Sequence, residues 1–352
     1  MNRRLVAAVV TMVILLTAGA RAGDKIHEVD DGLYTTGDLT MVSTWDGSGR
    51  LLIRSASHLM GTLDIVAADT NVVLVSFRKQ ARTDSRSKAF DYIDLISVVL
   101  ESTPQGMRLE LRAPNPAPWN AQTEAGIVQA TITVPIGSAL EITASYFDLN
   151  ARGPIRSLSI PASLGKLDIS DITEILDVTT SNRKITLNDI SGKISATTSN
   201  SQLTARDIAA TDGQARFRNE GGDIRIDGLR GAVNARNSYG RITIMGFEPG
   251  GEGSLIRCAS APVTLDIVQM AEGQLVISNR HEDIDITIPD TLSAFFSLAV
   301  DEDGVIEASG FEFRTDLVRP NKMNLLSGGG DVDISGSIRG NGNIFIRGIS
   351  GE

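Results

Sequence analysis

A nine-residue pattern of apolar and polar positions recurs nine times between Gly165 and Ile244. The third and fifth residues of every unit are apolar, and the residue between them is polar. Side chains two residues apart lie on one face of a strand, so each unit predicts a short strand with one buried and one solvated face. The units begin at Gly165, Glu174, Arg183, Gly192, Ser201, Gly213, Gly222, Gly231 and Gly240.

The eighth position separates two kinds of unit, because it is apolar in alternate units and polar in the others. The apolar residues Ile172, Ile190, Ile208, Leu229 and Phe247 alternate with Ser181, Ser199, Glu220 and Ser238. The true period is therefore eighteen residues, with two strands, an apolar corner and a polar corner rich in Ser and Asn. This predicts an all-β fold of the β-solenoid type, whose flattened coils stack about 4.8 Å apart and pair their strands along the axis.

Less regular β patterns flank the repeats. We predict a signal peptide at 1–22, an N-terminal β-rich region with a cap at 23–150, and a β-solenoid repeat region at 151–352. Within the second region, Ser85–Ile96 has apolar residues at helical intervals and predicts a short helix at one end of the stack. Such a cap is expected because a bare terminal coil exposes unpaired backbone groups.

The N-terminus has the features of a secretory signal. Arg3 and Arg4 precede an apolar run from Leu5 to Leu16, and the small-residue sequence Ala20-Arg21-Ala22 follows it. We predict cleavage after Ala22 and an exported protein that is periplasmic, surface-bound or secreted. The run is too short for a stable membrane span, and an uncleaved anchor is the alternative. We predict no transmembrane segment after cleavage.

The formal net charge is −10, and removal of Arg3, Arg4 and Arg21 with the signal leaves −13. An acidic exterior argues against nucleic acid and anionic membranes as partners, because both need clustered Lys and Arg. The same acidity also favours solubility. As partners of an exported solenoid we expect envelope or surface proteins or glycans.

Cys258 is the only cysteine, so no disulfide can form within the chain. When the segment Ser254–Cys258 is aligned with the repeat, Cys258 takes the inward fifth position of a unit. This predicts a small buried apolar residue rather than a nucleophile or metal ligand.

Four segments resemble a bacterial putative-adhesin family of unknown function. They are Val75-Ser-Phe77-Arg78-Lys79, Val134-Pro135, Leu140-Glu-Ile142 and the run from Gly221 to Ala235. The resemblance covers roughly residues 45 to 350 and implies a right-handed β-solenoid exported to the cell envelope, with no known catalytic residues. Where that family opens its units with Gly, this chain departs from it at Glu174, Arg183 and Ser201.

Two patterns could bind a metal. Asp171, Asp189 and Asp207 recur every eighteen residues and could form an acidic calcium ladder. The competing interpretation, which we favour, is that each Asp side chain caps its own turn through a backbone hydrogen bond. His281-Glu282-Asp283 opens a unit and fits a solvated strand start better than a zinc site.

Two pairs of outward carboxylates are the best candidates for catalysis. Asp283 with Asp285, and Asp331 with Asp333, would place Cα atoms roughly 6.5 to 7 Å apart on the solvent face of a strand. Carboxyl groups at such a distance could serve an inverting glycoside hydrolase or a calcium-assisted lyase. Short coils, however, leave little chain to build a substrate cleft.

The sequence thus favours a non-catalytic, exported, adhesin-like β-solenoid that presents a polar interaction surface. We predict no catalytic, metal or cofactor-binding residues and no cofactor. The alternative is a carbohydrate-active β-helix hydrolase or lyase that uses the outward Asp pairs.

Overall fold

The computed structural model describes residues 26–120, 122–251, 253–301 and 303–350. The predicted signal peptide lies outside these residues. Within them, 28 strands form one hydrogen-bonded sheet with a single helix, α1 (Arg86–Leu95), which confirms the all-β class. The strands are β1 (His27–Asp30), β2 (Leu33–Thr35), β3 (Leu39–Thr44), β4 (Arg50–Ser55), β5 (Leu59–Ala68), β6 (Val72–Arg82), β7 (Ser97–Thr103), β8 (Gly106–Arg112), β9 (Ala125–Pro135), β10 (Ala139–Thr143), β11 (Tyr146–Ser163), β12 (Leu167–Thr180), β13 (Ile185–Thr198), β14 (Leu203–Ala210), β15 (Ala215–Arg218), β16 (Ile224–Arg230), β17 (Val233–Asn237), β18 (Ile242–Glu248), β19 (Ser254–Cys258), β20 (Val263–Ile267), β21 (Gln274–Asn279), β22 (Ile284–Pro289), β23 (Ala294–Ala299), β24 (Ile306–Ser309), β25 (Arg314–Arg319), β26 (Lys322–Ser327), β27 (Val332–Ile338) and β28 (Ile344–Ile349).

The repeated strands pair in parallel at the period predicted from the sequence. Leu167 pairs with Ile185, and Ile185 pairs with Leu203, which is an offset of eighteen residues at each step. The unit that begins at Ser201 is twelve residues long instead of nine. Leu203 accordingly pairs with Ile224, an offset of 21 residues, and both side chains still point inward. The insertion therefore lengthens a corner and leaves the inward positions in register.

Parallel pairing divides the repeats into two series of strands, which we call ladder A and ladder B. One strand segment of each ladder makes up a tier. In hydrogen-bonded order, ladder A contains β9, β5, the first halves of β11, β12 and β13, then β14, β16, β18, β20, β22, β28 and β24. Ladder B contains β8, β4, β10, the second halves of β11, β12 and β13, then β15, β17, β19, β21, β27 and β23.

The core consists of the inward side chains of both ladders. All eighteen residues at the third and fifth positions of the nine units are at most 1% exposed, which confirms the predicted inward face. The apolar corner residues such as Ile190 and Phe247 are buried with them, and all belong to one hydrophobic cluster. One prediction is incomplete, because β12 and β13 each continue through the apolar corner and join two units into one strand.

The tiers do not follow chain order at either end of the ladders. In ladder B, β4 lies between β8 and β10, and in ladder A, β5 lies between β9 and β11. Both β4 and β5 precede their two neighbours in sequence. At the opposite end, β27 lies between β21 and β23, and β28 lies between β22 and β24. The first and the last repeats of the chain are therefore each inserted one tier inside the end of the stack.

Antiparallel strands and the helix close the N-terminal end. β6 pairs with β9, and β7 pairs with β8. The predicted helix is confirmed with Ser85 as its N-cap, whose side chain accepts a hydrogen bond from the Lys88 amide. Ile93 and the C-cap residue Ile96 are buried, whereas Phe90 is exposed. At the other end β26 pairs antiparallel with β23.

Candidate interaction surface

The outward side chains of ladder A form polar rows. Because the pairing is in register, Asp168, Thr186, Thr204, Arg225, Thr243, Thr264 and Asp285 follow one another across adjacent strands. Their spacing is that of neighbouring strands, about 4.8 Å. Arg225 forms hydrogen bonds of 3.1 and 3.0 Å with both carboxylate oxygens of Asp227, so the charges of these two residues compensate each other. The face is a mixed polar surface.

The apolar corner explains the recurring aspartates. Asp171, Asp189 and Asp207 have φ values of 57°, 56° and 52°, a left-handed conformation that Asp tolerates better than most residues. Gly228 and Gly246 take the equivalent place in later tiers, with φ of 76° and 61°. Because glycine takes the place of aspartate in later tiers, this position requires the left-handed backbone conformation and not a carboxylate.

The same corner does not show the side-chain cap that the sequence suggested. None of these three Asp side chains accepts a hydrogen bond within the part of the chain that the structure describes. Burial, and then the neighbouring Asp189 charge, raise the pKa of Asp171. No group of three His, Cys, Asp or Glu that could hold a metal occurs among the described residues. These aspartates therefore serve the turn through their left-handed backbone conformation and not through a side-chain hydrogen bond.

A column of buried polar side chains closes the other, polar corner, and sequence reasoning missed it. In register, the column contains Ser163, Thr180, Thr198, Asn219, Asn237, Cys258 and Asn279. Asn237 Nδ2 donates to the Gly222 carbonyl at 2.8 Å, and Asn279 Nδ2 donates to the Ala261 carbonyl at 2.9 Å. These amides satisfy backbone groups that the turn would otherwise bury unpaired.

Cys258 belongs to this column, so the sequence alignment of this residue was wrong. Ala235 at a fifth position pairs with Ile256, and Asn237 pairs with Cys258. The predicted burial of Cys258 is confirmed, since the residue is 6% exposed. The Cys258 Sγ donates to the Gly240 carbonyl at 3.4 Å. Burial raises the pKa of the Cys258 thiol.

The outer side of the polar corner is exposed. Asn200 Nδ2 donates to Asn182 Oδ1 at 2.7 Å, which links adjacent tiers. Tyr239 is 72% exposed and is the most exposed large hydrophobic side chain of the described residues. Such a corner offers amides, hydroxyls and one aromatic ring to a ligand.

The structure separates the two predicted carboxylate pairs. Asp283 and Asp285 lie at ladder A, immediately before and within β22, whereas Asp331 and Asp333 lie at ladder B, before and within β27. Asp283 Oδ1 accepts hydrogen bonds from the amide and side-chain nitrogens of Asn343, at 2.7 and 3.1 Å. Burial raises the pKa of Asp285 despite Arg347. The two pairs do not form one site.

A shallow polar cleft lies where ladder A meets the N-terminal cap. Its volume is about 320 Å³, and its walls are residues of β5, β6 and β9 together with Asp38. Arg78 binds both carboxylate oxygens of Asp38, at 2.5 and 3.0 Å, and this lowers the pKa of Asp38. The cleft is a continuation of the polar face of ladder A.

Among the described residues, no helix has the length and apolar character needed to cross a membrane.

Comparison with known proteins gives weak structural matches. Neither a family model nor a curated protein matches the chain. A putative cell adhesion protein from Clostridium sporogenes is 12% identical, with a TM-score of 0.22 over 89% of this chain and 99% of that one. A putative adhesin from Parabacteroides merdae is 9% identical, with a TM-score of 0.25 over 88% and 95% of the two chains. A putative lipid binding protein from Parabacteroides distasonis is 12% identical, with a TM-score of 0.22 over 88% and 96%.

The names of the first two agree with the family resemblance found in the sequence. At these TM-scores the likeness carries no argument about fold or function.

Proposed function

We propose that this chain is a non-catalytic, exported β-solenoid whose outward faces bind envelope proteins or glycans. Strands with an eighteen-residue offset and two hydrogen-bonded ladders are what such a solenoid would produce. Its regions would be the signal peptide at 1–22, the N-terminal region and cap at 23–150, and the repeats at 151–352.

The observation that carries this proposal is the register of the outward residues. Each ladder repeats one outward side-chain position about every 4.8 Å over many tiers, and most of these positions are polar. A long surface of this kind provides many hydrogen-bonding groups on a rigid scaffold, which suits an extended partner. The signal peptide proposed from the sequence would bring this surface to the envelope.

A binding assay on envelope material tests the proposal. The chain from Gly23 onward is incubated with intact bacterial cells, purified peptidoglycan and envelope extract, and bound protein is measured against concentration. We expect saturable binding to at least one of the three. Absence of binding to all three would contradict the proposal.

The enzyme alternative makes a different prediction. A hydrolase or lyase that used Asp285 or Asp333 would shorten acidic polysaccharides, with or without calcium. The Asn343 hydrogen bonds already occupy one carboxylate oxygen of Asp283, and the two pairs belong to different ladders. We therefore expect unchanged polymer length after prolonged incubation. Shortening that Asp285→Asn or Asp333→Asn abolishes would establish the enzyme.

A further inference from the structure

Five exposed cations lie on the outer face of the middle strands of ladder B, from the second half of β13 to β19, and we call this surface the cationic face. Its members are Lys193, Arg216, Arg218, Arg236 and Arg257. Each alternates along its strand with buried residues, so its side chain is directed away from the core.

Three of these arginines form a row across adjacent strands. Arg218 pairs with Arg236, and Arg236 pairs with Arg257. Neighbouring strands place their Cα atoms about 4.8 Å apart, and Arg216 lies two residues before Arg218 on the same face. The row is one residue wide and runs along the axis of the ladder.

The cationic face lacks acidic residues. β15, β17, β19, β21 and the second half of β13 contain no Asp or Glu, although the chain has 43 acidic and 33 basic residues. Asp177 on β12 and Asp333 on β27 lie in the tiers that bound it. Charges beyond about 8 Å are screened at physiological ionic strength, so the local sign of charge can oppose the net charge.

The guanidinium groups of this face are not used in ion pairs. In ladder A, Arg225 binds Asp227 and Arg206 lies 3.9 Å from the same carboxylate. In ladder B, Arg50 on β4 and Arg112 on β8 also form ion pairs with Glu141 and Glu110. In the part of the chain that the structure describes, none of the five cations of the cationic face forms a salt bridge. Arg236 Nε donates one hydrogen bond to Asn234 Oδ1 at 3.2 Å. The remaining donors of the arginine row are available to an anion.

We propose that the cationic face binds an acidic polysaccharide through the carboxylates of its uronate rings. A guanidinium matches a carboxylate with two parallel hydrogen bonds, and a row of three suits a linear polymer with one carboxylate on each ring. Ser195, Thr197 and Asn234 lie beside the cations and can bond to ring hydroxyls. This inference rests on the proposed function, because it names the ligand of that surface.

The shape of the face favours a single polymer over other anions. A membrane surface requires a broad cationic area, whereas this row is narrow and acidic residues lie at both of its ends. Single-stranded nucleic acid is bound on several stacked aromatic side chains, and the strands of this face contain only Phe217, which is buried. A uronate chain requires neither feature.

Binding of polygalacturonate tests the inference. Isothermal titration calorimetry with the chain from Gly23 onward uses polygalacturonate and, as a matched probe, the same polymer with its carboxylates methyl-esterified. We expect binding to the free acid, weakening as salt is added, and none to the ester. The triple variant Arg218→Gln, Arg236→Gln and Arg257→Gln is expected to lose about tenfold or more in affinity.

A second triple variant controls for net charge. Arg206→Gln removes an exposed cation from β14 of ladder A, and Lys184→Gln and Arg241→Gln remove two more from the residues immediately before β13 and β18. For this variant we expect an affinity within about twofold of the parent. Equal loss in both triple variants would show non-specific attraction and overturn the inference. Tighter binding of phosphatidylglycerol vesicles or single-stranded DNA through the same arginines would also overturn it.

The envelope assay separates this inference from the proposed function. If the arginine-row variant still binds envelope material and the parent does not bind polygalacturonate, the inference fails and the proposed function stands. If the parent binds neither envelope material nor polygalacturonate, both fail.

Discussion

Single buried polar residues decide how the polar corner closes. A turn brings backbone amides and carbonyls into the interior, and each unpaired group there costs about 1–3 kcal/mol. Asn219 and Asn237 have both a donor and an acceptor, so one side chain can bond to a carbonyl of the preceding tier and an amide of its own turn. Thr180 supplies only its hydroxyl, which donates to the Gly165 carbonyl.

Replacement of Asn237 tests this role. Asn237 is 5% exposed, and Asn237→Ala leaves the Gly222 carbonyl and the Gly240 amide without their side-chain partner. We expect a loss of about 1–3 kcal/mol in the free energy of unfolding, measured by urea denaturation. Asn234→Ala, at an outward position of the same strand, is the control and should change it by less than about 0.5 kcal/mol. Equal effects would contradict the role.

The thiol of Cys258 should react slowly in the folded protein. Its burial and its raised pKa both lower the fraction of accessible thiolate at neutral pH. We expect slow labelling by a thiol-specific reagent at pH 7.5 and fast labelling in denaturant. Rapid labelling of the native protein would contradict the buried position. Cys258→Asn should keep the fold, because the column already has Asn in the tiers on both sides.

Strands and corners show what the sequence can and cannot predict. The alternation of apolar residues predicted all eighteen inward positions, since a period of two fixes the face of a strand without knowledge of its partner. The Asn column and the arginine row depend on which residues are neighbours across tiers. Arg218 and Arg236 are eighteen residues apart, but Arg257 follows Arg236 after 21 residues. A constant eighteen-residue period therefore does not place Arg257 in the same row. The misplacement of Cys258 has the same cause.

At the apolar corner, the ionised Asp171 carboxylate lowers the stability of the fold, and protonation at low pH removes this effect. The fold raises the pKa of Asp171 above its ordinary value of 3.8, so the folded state binds this proton more tightly than the unfolded state. The ionised carboxylate therefore destabilises the fold at pH values above the folded pKa. Below 3.8, both states are protonated and this contribution disappears.

Asp171→Asn should consequently stabilise the protein at neutral pH. Asn lacks the charge and is also tolerated at φ of 57°. We expect a higher melting temperature at pH 7 and a difference that shrinks as the pH falls toward 3. Asp177→Asn, at an exposed position of the same strand, is the control, and we expect it to change the melting temperature less than Asp171→Asn does. A loss of stability in Asp171→Asn at pH 7 would contradict the argument.

At the scale of the whole molecule, the tier order makes both ends depend on distant segments. β23 is separated from β21 by β27, which lies more than thirty residues later in the chain. The inserted tiers supply hydrogen-bonding partners on both sides, so the strands at each end are connected through long-range pairs. Such contacts form late because loop closure must precede them. The periodic pattern contains no signal for this order, because β21, β23 and β27 all have the same alternation.

Engineered disulfides distinguish the inserted order from a simple chain order. Ser278 pairs directly with Ser337, which in turn pairs with Ala299. With Cys258 replaced by Ala, Ser278→Cys with Ser337→Cys places Cα atoms about 4.8 Å apart, within the range of a disulfide. Ser278→Cys with Ala299→Cys places them two strands apart, roughly 9.6 Å, which a disulfide does not span. Under mild oxidation, we expect the first pair to cross-link in the monomer, as a mobility shift on non-reducing gels, and the second to remain reduced. If the chain stacked its tiers in sequence order, β23 would be adjacent to β21 and the second pair would cross-link instead.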